Sequence, residues 1–307
     1  MQFANNKERI AFLLGLGIAV AIILFAVIAK YGSDAIPLNS HYENTLEKKR
    51  LLDQMRIQLL KSVEREKNAV MALSDRESLE FADQSRLASA TVASNLSRLR
   101  ALVDAIASPD EKKLLDEFTT CWTEFGQLDQ IILELAVENT NLKAAALSKE
   151  KGAEAMQRFE QALERLLPLS SGTGSEGRVE ELVFRALVAG LKLYNLHSVH
   201  IAEPTDENMD RIEARMRGEE NRVAEAFATL SDLVVDGEGR EVVSQAKTAF
   251  AEFTAVTAKV MELSRKNSNV QSQALSFGKK RTIAAQCDAV LATFQDTVHN
   301  KSYKATK

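Results

Sequence analysis

The chain repeats itself at an offset of 128 residues, and this repeat limits the folds open to it more than any other feature. The shift pairs Trp122 with Phe250 and Leu135 with Leu263. It also pairs Asn139 with Asn267, Asn141 with Asn269, and Ala146-Leu147-Ser148 with Ala274-Leu275-Ser276. Because a duplicated pattern builds the same structure twice, we predict two equivalent helical units. They occupy residues 41–168 and 178–300, with a linker at 169–177.

Within each copy the apolar residues follow the seven-residue spacing of packed helices. In the second copy they are Phe250, Phe253, Val260, Leu263, Val270, Ala274 and Phe277. Only four prolines and thirteen glycines occur in 307 residues, and 27% of the residues are charged. This combination is typical of helical bundles, in which heptad stripes bury against one another. We predict an all-α fold of tandem antiparallel four-helix bundles.

Short polar motifs indicate where helices begin. Ser74 and Ser108 each stand three residues before a glutamate, which is the capping-box pattern, and Pro109 is a residue favoured in a first helical turn. Turns are also indicated at residues 203–206, which contain a proline, and at 236–239, which contain two glycines. Helices are therefore predicted to start just after Ser74 and Ser108.

A run of uncharged residues near the N-terminus, Ile10 to Ala29, has the length needed to cross a bilayer. About 20 apolar residues in a helix match the roughly 30 Å hydrocarbon core. The large side chains expected in the lipid are Ile10, Phe12, Leu13, Leu14, Ile22, Ile23, Leu24, Phe25 and Ile28. We predict one transmembrane anchor at residues 10–30, preceded by a tail at 1–9. A sparse basic tail at 301–307 ends the chain.

The charges that flank the anchor favour an N-terminus in the cytoplasm and an exported body. Lys7 and Arg9 precede the apolar run in the manner of a signal anchor, although Lys30 and later basic residues follow it. Cys121 and Cys287 lie far apart in the sequence and form no CxxC motif. Buried free thiols are the favoured interpretation, and a disulfide is the alternative if the body is exported.

The sequence excludes several classes of function. It contains no nucleophile elbow, phosphate-binding loop, HExxH motif or haem-attachment CxxCH motif, so we predict that the protein is not an enzyme. A net charge of -4 without a basic block argues against nucleic-acid binding. Binding and structural roles therefore remain.

Two asparagines at equivalent positions are the first candidate for a ligand site. The heptad register places Asn139 and Asn267 on the buried seam of their helices. A polar residue there usually fixes the register and the partner of a helix. The alternative is that the two amides bind a small ligand in a cavity of the bundle.

A second candidate is the polar stretch around His197, His200 and Glu203. The two histidines lie three residues apart on one helical face, and Glu203 follows one turn later. Together they could hold a divalent metal such as zinc, or contact haem or an organic ligand. The favoured interpretation is structural, because His200 continues an apolar heptad stripe and Glu203 precedes a proline. No cofactor is predicted beyond this metal or haem alternative.

Three segments carry a resemblance to a known family. They are Glu64 to Val70, the acidic turn from Ser74 to Phe81, and the helix that follows as far as Val103. In this region the chain resembles the four-helix-bundle sensor domain of bacterial methyl-accepting chemoreceptors. The block with Trp122, Phe125 and Asn139 is similar to the third helix of that domain, and the second copy resembles its tandem, bimodular form. The resemblance covers Tyr42 to Val298.

This resemblance implies an extracytoplasmic sensor-like module in the bacterial inner membrane, in which a small ligand or a protein partner shifts the packing of helices. We find no second membrane span and no cytoplasmic signalling region in the sequence, so we expect any signal to pass to a partner membrane protein. Helical packing also suggests a homo-oligomer. The alternative function is a structural or scaffold protein of the cell envelope that binds no small ligand.

Overall fold

A computed structural model of the protein describes residues 42–105, 108–172, 174–234 and 237–305. All the regular secondary structure in these ranges is helical, which confirms the predicted all-α class. None of the helices in the same ranges combines the length and the apolar character that crossing a membrane requires. The anchor predicted at residues 10–30 lies outside the described residues.

The helices of the first copy include one long helical segment that is interrupted. Helix α1 covers residues 42–71, α2 covers Asp75–Ala105 and α3 covers Pro109–Glu138. After a break at one residue come α4 (Thr140–Leu147), a π-helical turn (Ser148–Gly152), α5 (Ala153–Glu164) and α6 (Leu166–Ser170). The linker predicted at 169–177 is helical at both ends, because α6 ends at Ser170 and the next helix begins at Glu176.

The second copy repeats this order. It contains α7 (Glu176–Ala202), α8 (Asp206–Leu233), α9 (Gly237–Lys266), α10 (Ser268–Leu275), a second π-helical turn (Ser276–Lys280) and α11 (Arg281–Ala305). The predicted helix starts after Ser74 and Ser108 are confirmed by α2 and α3. Ser74 Oγ accepts a hydrogen bond from the Glu77 backbone N–H at 3.3 Å, as the capping-box pattern requires.

The breaks that end α3 and α9 occur at equivalent asparagines. Asn139 has φ 51° and ψ 38°, and Asn267 has φ 53° and ψ 32°. Both residues are in the left-handed helical region, which asparagine enters more readily than other residues with a side chain. The heptad pattern predicted continuous helices through both positions, and this expectation was wrong.

The break and the π-helical turn after it change which side chains face the core. Phe253 and Val260, which precede Asn267, are buried as the heptad pattern predicts. Phe277 was expected on the same stripe, but it lies after the break and inside the π-helical turn, and it is 41% exposed. The reason is that a left-handed residue and a wider turn each rotate the following helix relative to an uninterrupted one.

The described residues group into two compact units. Within the described residues, unit 1 comprises 42–60, 88–105, 108–123 and 285–305, and unit 2 comprises 61–87, 124–172, 174–234 and 237–284. Each unit therefore takes segments from both copies of the duplicated sequence. The boundaries predicted at 41–168 and 178–300 describe the duplication along the chain, whereas these units describe contacts in space.

Unit 1 contains a disulfide bond between Cys121 and Cys287. Their Cα atoms lie 5.7 Å apart, within the range that a disulfide can bridge. This finding corrects the favoured interpretation of the two cysteines as free thiols, and it bears out the alternative. A buried ion pair between Lys48 and Glu111, with Nζ and Oε2 2.6 Å apart, lies in the same unit.

The core of unit 2 is built from α5, α7, α8 and α9. Large side chains from each helix meet there, including Phe159, Leu193, Phe227 and Phe253. Gly190 allows α7 to approach α5 closely, because a Cβ atom at this position would stand 2.9 Å from Met156 Cε and from Phe159 Cε1. All candidate site residues that the structure describes lie in unit 2.

Candidate functional site

The two broken helices hold each other through a set of hydrogen bonds that we call the polar crossing. It consists of Asn139, Thr140, Asn141, Asn267, Ser268 and Asn269. The Thr140 backbone N–H donates to Ser268 Oγ at 3.0 Å, and the Ser268 N–H donates to Thr140 Oγ1 at 3.1 Å. The same exchange joins the backbone N–H of Asn141 to Asn269 Oδ1 at 3.1 Å and that of Asn269 to Asn141 Oδ1 at 3.2 Å.

These bonds act as helix caps that each helix supplies to the other. The first N–H groups of a helix have no partner within that helix, and a side chain normally accepts from them locally. Neither Asn139 nor Asn267 forms such a local side-chain cap. Side chains 128 residues away take this role for both α4 and α10. The start of each helix therefore depends on the other copy.

The amide groups of Asn139 and Asn267 are buried and satisfied by protein atoms. Asn139 Nδ2 donates to Asp75 Oδ1 at 3.0 Å, and its Oδ1 accepts from Asn269 Nδ2 at 2.9 Å. Asn267 Nδ2 donates to the Glu203 carbonyl at 3.0 Å, and its Oδ1 accepts from Asn141 Nδ2 at 2.8 Å. A ligand at either amide would have to replace these bonds, so the contacts favour the prediction that the asparagines fix the register.

The first histidine of the second candidate site lies in a pocket that we call the neutral pocket, formed by Ser148, Tyr194, His197, Phe253 and Thr257. His197 Nδ1 is 2.9 Å from Ser148 Oγ, and its Nε2 is 2.9 Å from Thr257 Oγ1. The imidazole ring stacks on Phe253 with 5.6 Å between the ring centroids. Both nitrogens of this buried ring therefore have partners.

The hydrogen bonds of Thr257 identify the neutral tautomer of His197. The Thr257 hydroxyl donates to the Phe253 carbonyl at 2.9 Å, so it accepts from an Nε2–H group of His197. Nδ1 then accepts from the Ser148 hydroxyl. Burial disfavours the charged imidazolium and lowers the pKa of His197 to about 4, with a smaller contribution from His200.

His200 belongs to a separate network and does not share a ligand position with His197. Its Nδ1 is 2.8 Å from Ser264 Oγ, and its Nε2 donates to Glu213 Oε1 at 3.1 Å. Arg265 Nε donates to the same Glu213 oxygen at 2.7 Å and holds the pKa of that carboxyl below its ordinary value. This network joins α7, α8 and the C-terminal end of α9, next to Asn267 of the polar crossing.

Glu203, the third residue of the predicted metal site, is used in the turn between α7 and α8. Its Oε1 accepts from the Thr205 backbone N–H at 3.1 Å and from the Thr205 hydroxyl at 2.7 Å. Within the described residues no three His, Cys, Asp or Glu side chains are grouped so that they could hold a metal ion. The contacts of His197, His200 and Glu203 therefore support the structural interpretation rather than a metal or haem site.

Sequence reasoning missed a second buried pocket, which we call the charged pocket: Glu66, Phe125, Asp129, Ser276 and Lys280. The Lys280 ammonium is 1% exposed, donates to Asp129 and lies 3.8 Å from the centroid of the Phe125 ring. Glu66 is fully buried, and neither carboxyl oxygen makes a well-formed hydrogen bond to the described residues. The sequence contained one signal for this pocket, the 128-residue offset. It pairs Glu66, Phe125, Asp129 and Ser276 with residues of the neutral pocket.

Burial shifts the pKa values of two groups in the charged pocket. It raises the pKa of Glu66, although the nearby Ser276 hydroxyl and Lys280 act in the opposite direction. It lowers the pKa of Lys280, against the attraction of Asp129. Each shift favours the uncharged form of the group, as expected when water is excluded.

An open groove between α5 and α9 could accept a small molecule. Its volume is about 400 Å³, and its lining includes Arg158, Gln161, Arg165, Gln245 and Glu252. Arg158 Nη2 donates to Glu252 at 2.6 Å, and Arg165 Nη1 donates to Gln245 at 2.7 Å. Arg158 lies in α5 and Arg165 directly follows its last residue, so the two guanidinium groups lie about two helical turns apart along this groove, which the carboxylates of Glu241 and Glu252 also line.

One family model matches the chain twice. It is described as the four helix bundle sensory module for signal transduction, and it matches residues 7–176 and 195–307. Comparison with curated proteins gave no match.

Proposed function

Because the chain belongs to the family of four-helix-bundle sensory modules for signal transduction, we propose that it is a membrane-anchored module that senses a small ligand or a partner membrane protein outside the cytoplasm. The family is a sensory one, and we assign the protein no catalytic activity. The observation that supports this proposal best is the polar crossing, where two long helical segments are interrupted at equivalent places.

The polar crossing has the properties of an element that can change its packing. A left-handed residue with a side chain costs about 1–3 kcal/mol, and it persists only where surrounding contacts impose it. Here the imposing contacts are the exchanged caps between Thr140 and Ser268 and between Asn141 and Asn269. A π-helical turn follows each break, and such turns are frequent at functional sites. A ligand that prefers one arrangement of these helices would shift the population toward it.

The groove between α5 and α9 is our candidate for the ligand site. Its volume of about 400 Å³ is in the range of small-molecule sites. Arg158 is already paired with Glu154 and Glu252, so Arg165 is the guanidinium that would bind an anionic group, and the amides of Gln161 and Gln245 could orient it by hydrogen bonds. The groove touches α9, whose C-terminal end leads into the polar crossing at Asn267.

Two observations support a body that lies outside the cytoplasm of a bacterium, attached to the inner membrane by residues 10–30. The apolar run at Ile10 to Ala29 has the length of a membrane span. The disulfide between Cys121 and Cys287 fits an exported domain, because such bonds persist in oxidising compartments and are rare in the cytosol.

A thermal-shift screen of the full chain in detergent tests the sensor function. We would use organic acids, amino acids and divalent metal ions, and the control would be Arg165→Gln, which removes a charge from the groove. A ligand at 100 times its Kd should add about 2.7 kcal/mol of stability. Stabilisation that is lost in Arg165→Gln supports the groove. If no compound in the screen stabilises the protein, small-ligand sensing is wrong.

The satisfied hydrogen bonds of the polar crossing also favour a second function, a rigid scaffold of the cell envelope without a small ligand. Every side-chain amide of Asn139 and Asn267 is held by the protein, as expected of a rigid joint. Isolation of the tagged full chain from detergent extracts separates the two functions. A stoichiometric complex that forms equally with and without the stabilising compounds would support the scaffold.

A further inference from the structure

The carboxyl group of Glu66 is the most unusual buried group in unit 2. It is fully buried on α1, and both of its oxygens lack a well-formed hydrogen bond among the described residues. The Ser276 hydroxyl is buried beside it and also lacks one. Buried carboxylates normally accept several hydrogen bonds or pair with a cation. Glu66 therefore requires a different explanation.

The charged groups around Glu66 do not supply a cation of its own. They are Asp129 on α3, Lys280 in the second π-helical turn, and Lys67 on α1 itself. Lys280 donates to Asp129 and lies over the Phe125 ring, so its charge is already paired. Lys67 is directed towards the Phe277 ring, 5.8 Å from its centroid. An ionised Glu66 would add a second negative charge to a pocket that holds one buried lysine.

We propose that Glu66 is a proton-binding site, which holds its proton in this packing and rearranges the second π-helical turn when the proton leaves. In the neutral form the Glu66 O–H group donates to Ser276 Oγ, which gives one carboxyl oxygen of Glu66 and the Ser276 oxygen a partner. On ionisation the O–H bond breaks, the electron pair stays on the carboxylate, and the proton passes to solvent water. The inference concerns the charged pocket and does not depend on the ligand groove.

The second π-helical turn is the element that this ionisation would move. Both Ser276 and Lys280 lie in it, and between them Gly278 has φ -94° and ψ -105°, outside the helical region. An ionised Glu66 would compete with Asp129 for the single ammonium of Lys280. Because Lys280 ends the turn, moving its side chain toward Glu66 would change the turn's geometry. Through this turn, the loss of one proton from Glu66 would change the backbone geometry at the start of α11.

The direction of the pH effect follows from burial. The folded protein raises the pKa of Glu66 above the ordinary value of 4.5, so the folded state binds this proton more tightly than the unfolded state does. The contribution of Glu66 to stability is fully present below pH 4.5, and it is lost as the pH rises through the raised pKa. Each unit of that shift corresponds to about a tenfold change in the ratio of folded to unfolded protein.

Infrared difference spectroscopy of the full chain in detergent tests the proposal directly. The protonated carboxylic acid of Glu66 should keep a C=O band above pH 4.5, where an ordinary glutamate is ionised, and that band should disappear as the pH rises through the raised pKa. Glu66→Gln should lack the band at every pH. Glu64→Gln, which changes an exposed carboxylate on the same helix, is the matched control and should keep it.

The outcomes separate the proposal from a purely structural role for Glu66. If wild-type protein shows no such band above the pH range in which exposed carboxyl groups ionise, or if Glu66→Gln retains it, the proposal is wrong. Because the first measurement uses unaltered protein, it holds even if Glu66→Gln folds poorly. In proteins that fold, the melting temperature of wild type should fall relative to Glu66→Gln as the pH rises. A parallel dependence in both proteins would also contradict the proposal.

Discussion

The charged pocket and the neutral pocket occupy equivalent places in the duplicated chain, yet their chemistry is opposite. At the 128-residue offset, Glu66 corresponds to Tyr194, Asp129 to Thr257 and Lys280 to Gly152. The pocket with Lys280 buries three ionisable groups, whereas the pocket with His197 buries one imidazole that burial keeps neutral. Phe125 and Phe253 provide an aromatic ring in both.

The difference teaches which positions the fold itself requires. The serine that begins each π-helical turn is the same in both copies, Ser148 and Ser276, and so is the asparagine at each break. These residues determine the path of the backbone. The pocket residues lie on that backbone but do not determine it, so the two copies can carry different charges. Four predictions test this comparison, and we give them in order of expected effect.

Removing Lys280 should have the largest effect, because it leaves Asp129 buried without its cation. We expect Lys280→Met to destabilise the protein by about 3–5 kcal/mol, measured by denaturant unfolding. Lys279→Met changes an exposed neighbour and should cost much less. Adding Asp129→Leu to Lys280→Met should recover most of the loss. If the double variant is as unstable as the single one, the two charges do not depend on each other.

Acidification should destabilise the neutral pocket, whereas a rise in pH should destabilise the charged pocket through Glu66. The pKa of His197 is lowered from 6.5 to about 4, so its contribution is present above pH 6.5 and is lost as the pH falls through 4. The loss should reach about 3 kcal/mol relative to His197→Gln, which does not titrate. His299→Gln removes an exposed histidine and should keep the wild-type pH dependence. Equal acid sensitivity in wild type and His197→Gln would refute the assignment.

Replacing Thr257 by valine should have an intermediate effect. The change keeps the shape of the side chain but removes the acceptor of the His197 Nε2–H group and the donor to the Phe253 carbonyl. We expect a loss of about 1–3 kcal/mol in the free energy of unfolding. Thr248→Val removes an exposed hydroxyl from the same helix and serves as the control. A loss no greater than that of the control would mean that the bonds to Thr257 contribute little.

Gly152→Ala should have the smallest effect, although it lies beside the neutral pocket. Gly152 has helical φ -63° and ψ -47°, and an added Cβ would be 3.4 Å from Tyr194 Cε2, which is an ordinary contact. We expect a change within about 1 kcal/mol, since alanine also favours the helix. Gly190→Ala should cost about 1–3 kcal/mol, because its Cβ would meet Met156 and Phe159 at 2.9 Å. Equal costs would contradict the difference in packing.

Much of the fold was predictable, because helix signals are local. Heptad spacing predicted the long helices, Ser74 and Ser108 predicted two helix starts, and the 128-residue offset predicted that the two copies would build the same helices. The left-handed conformation of Asn139 and Asn267 was missed, because a buried asparagine fits a heptad seam equally well. The signal was present in the Asn-Thr-Asn and Asn-Ser-Asn triplets, which supply the caps exchanged between helices.

The pockets and the disulfide were harder to predict because they depend on distance in space. His200 was expected to be buried and is, at 0% exposure, and His197 is buried as well. Their different partners, however, come from helices far along the chain. No role was predicted from the sequence for the side chains of Glu66 and Lys280, because no local pattern shows that two residues 214 positions apart share one pocket. The Cys121–Cys287 bond likewise requires a short Cα separation that spacing does not reveal.

The exchanged caps of the polar crossing have a consequence for the order in which the protein folds during synthesis. Thr140 and Asn141 leave the ribosome 128 residues before Ser268 and Asn269, the residues that cap their helix. Until then the left-handed turn at Asn139 lacks the bonds that the second copy supplies. We expect the nascent first copy to keep a continuous helix through Asn139, and to break it only when the second copy arrives. The break at Asn139 is therefore expected to form only after both copies have been synthesised.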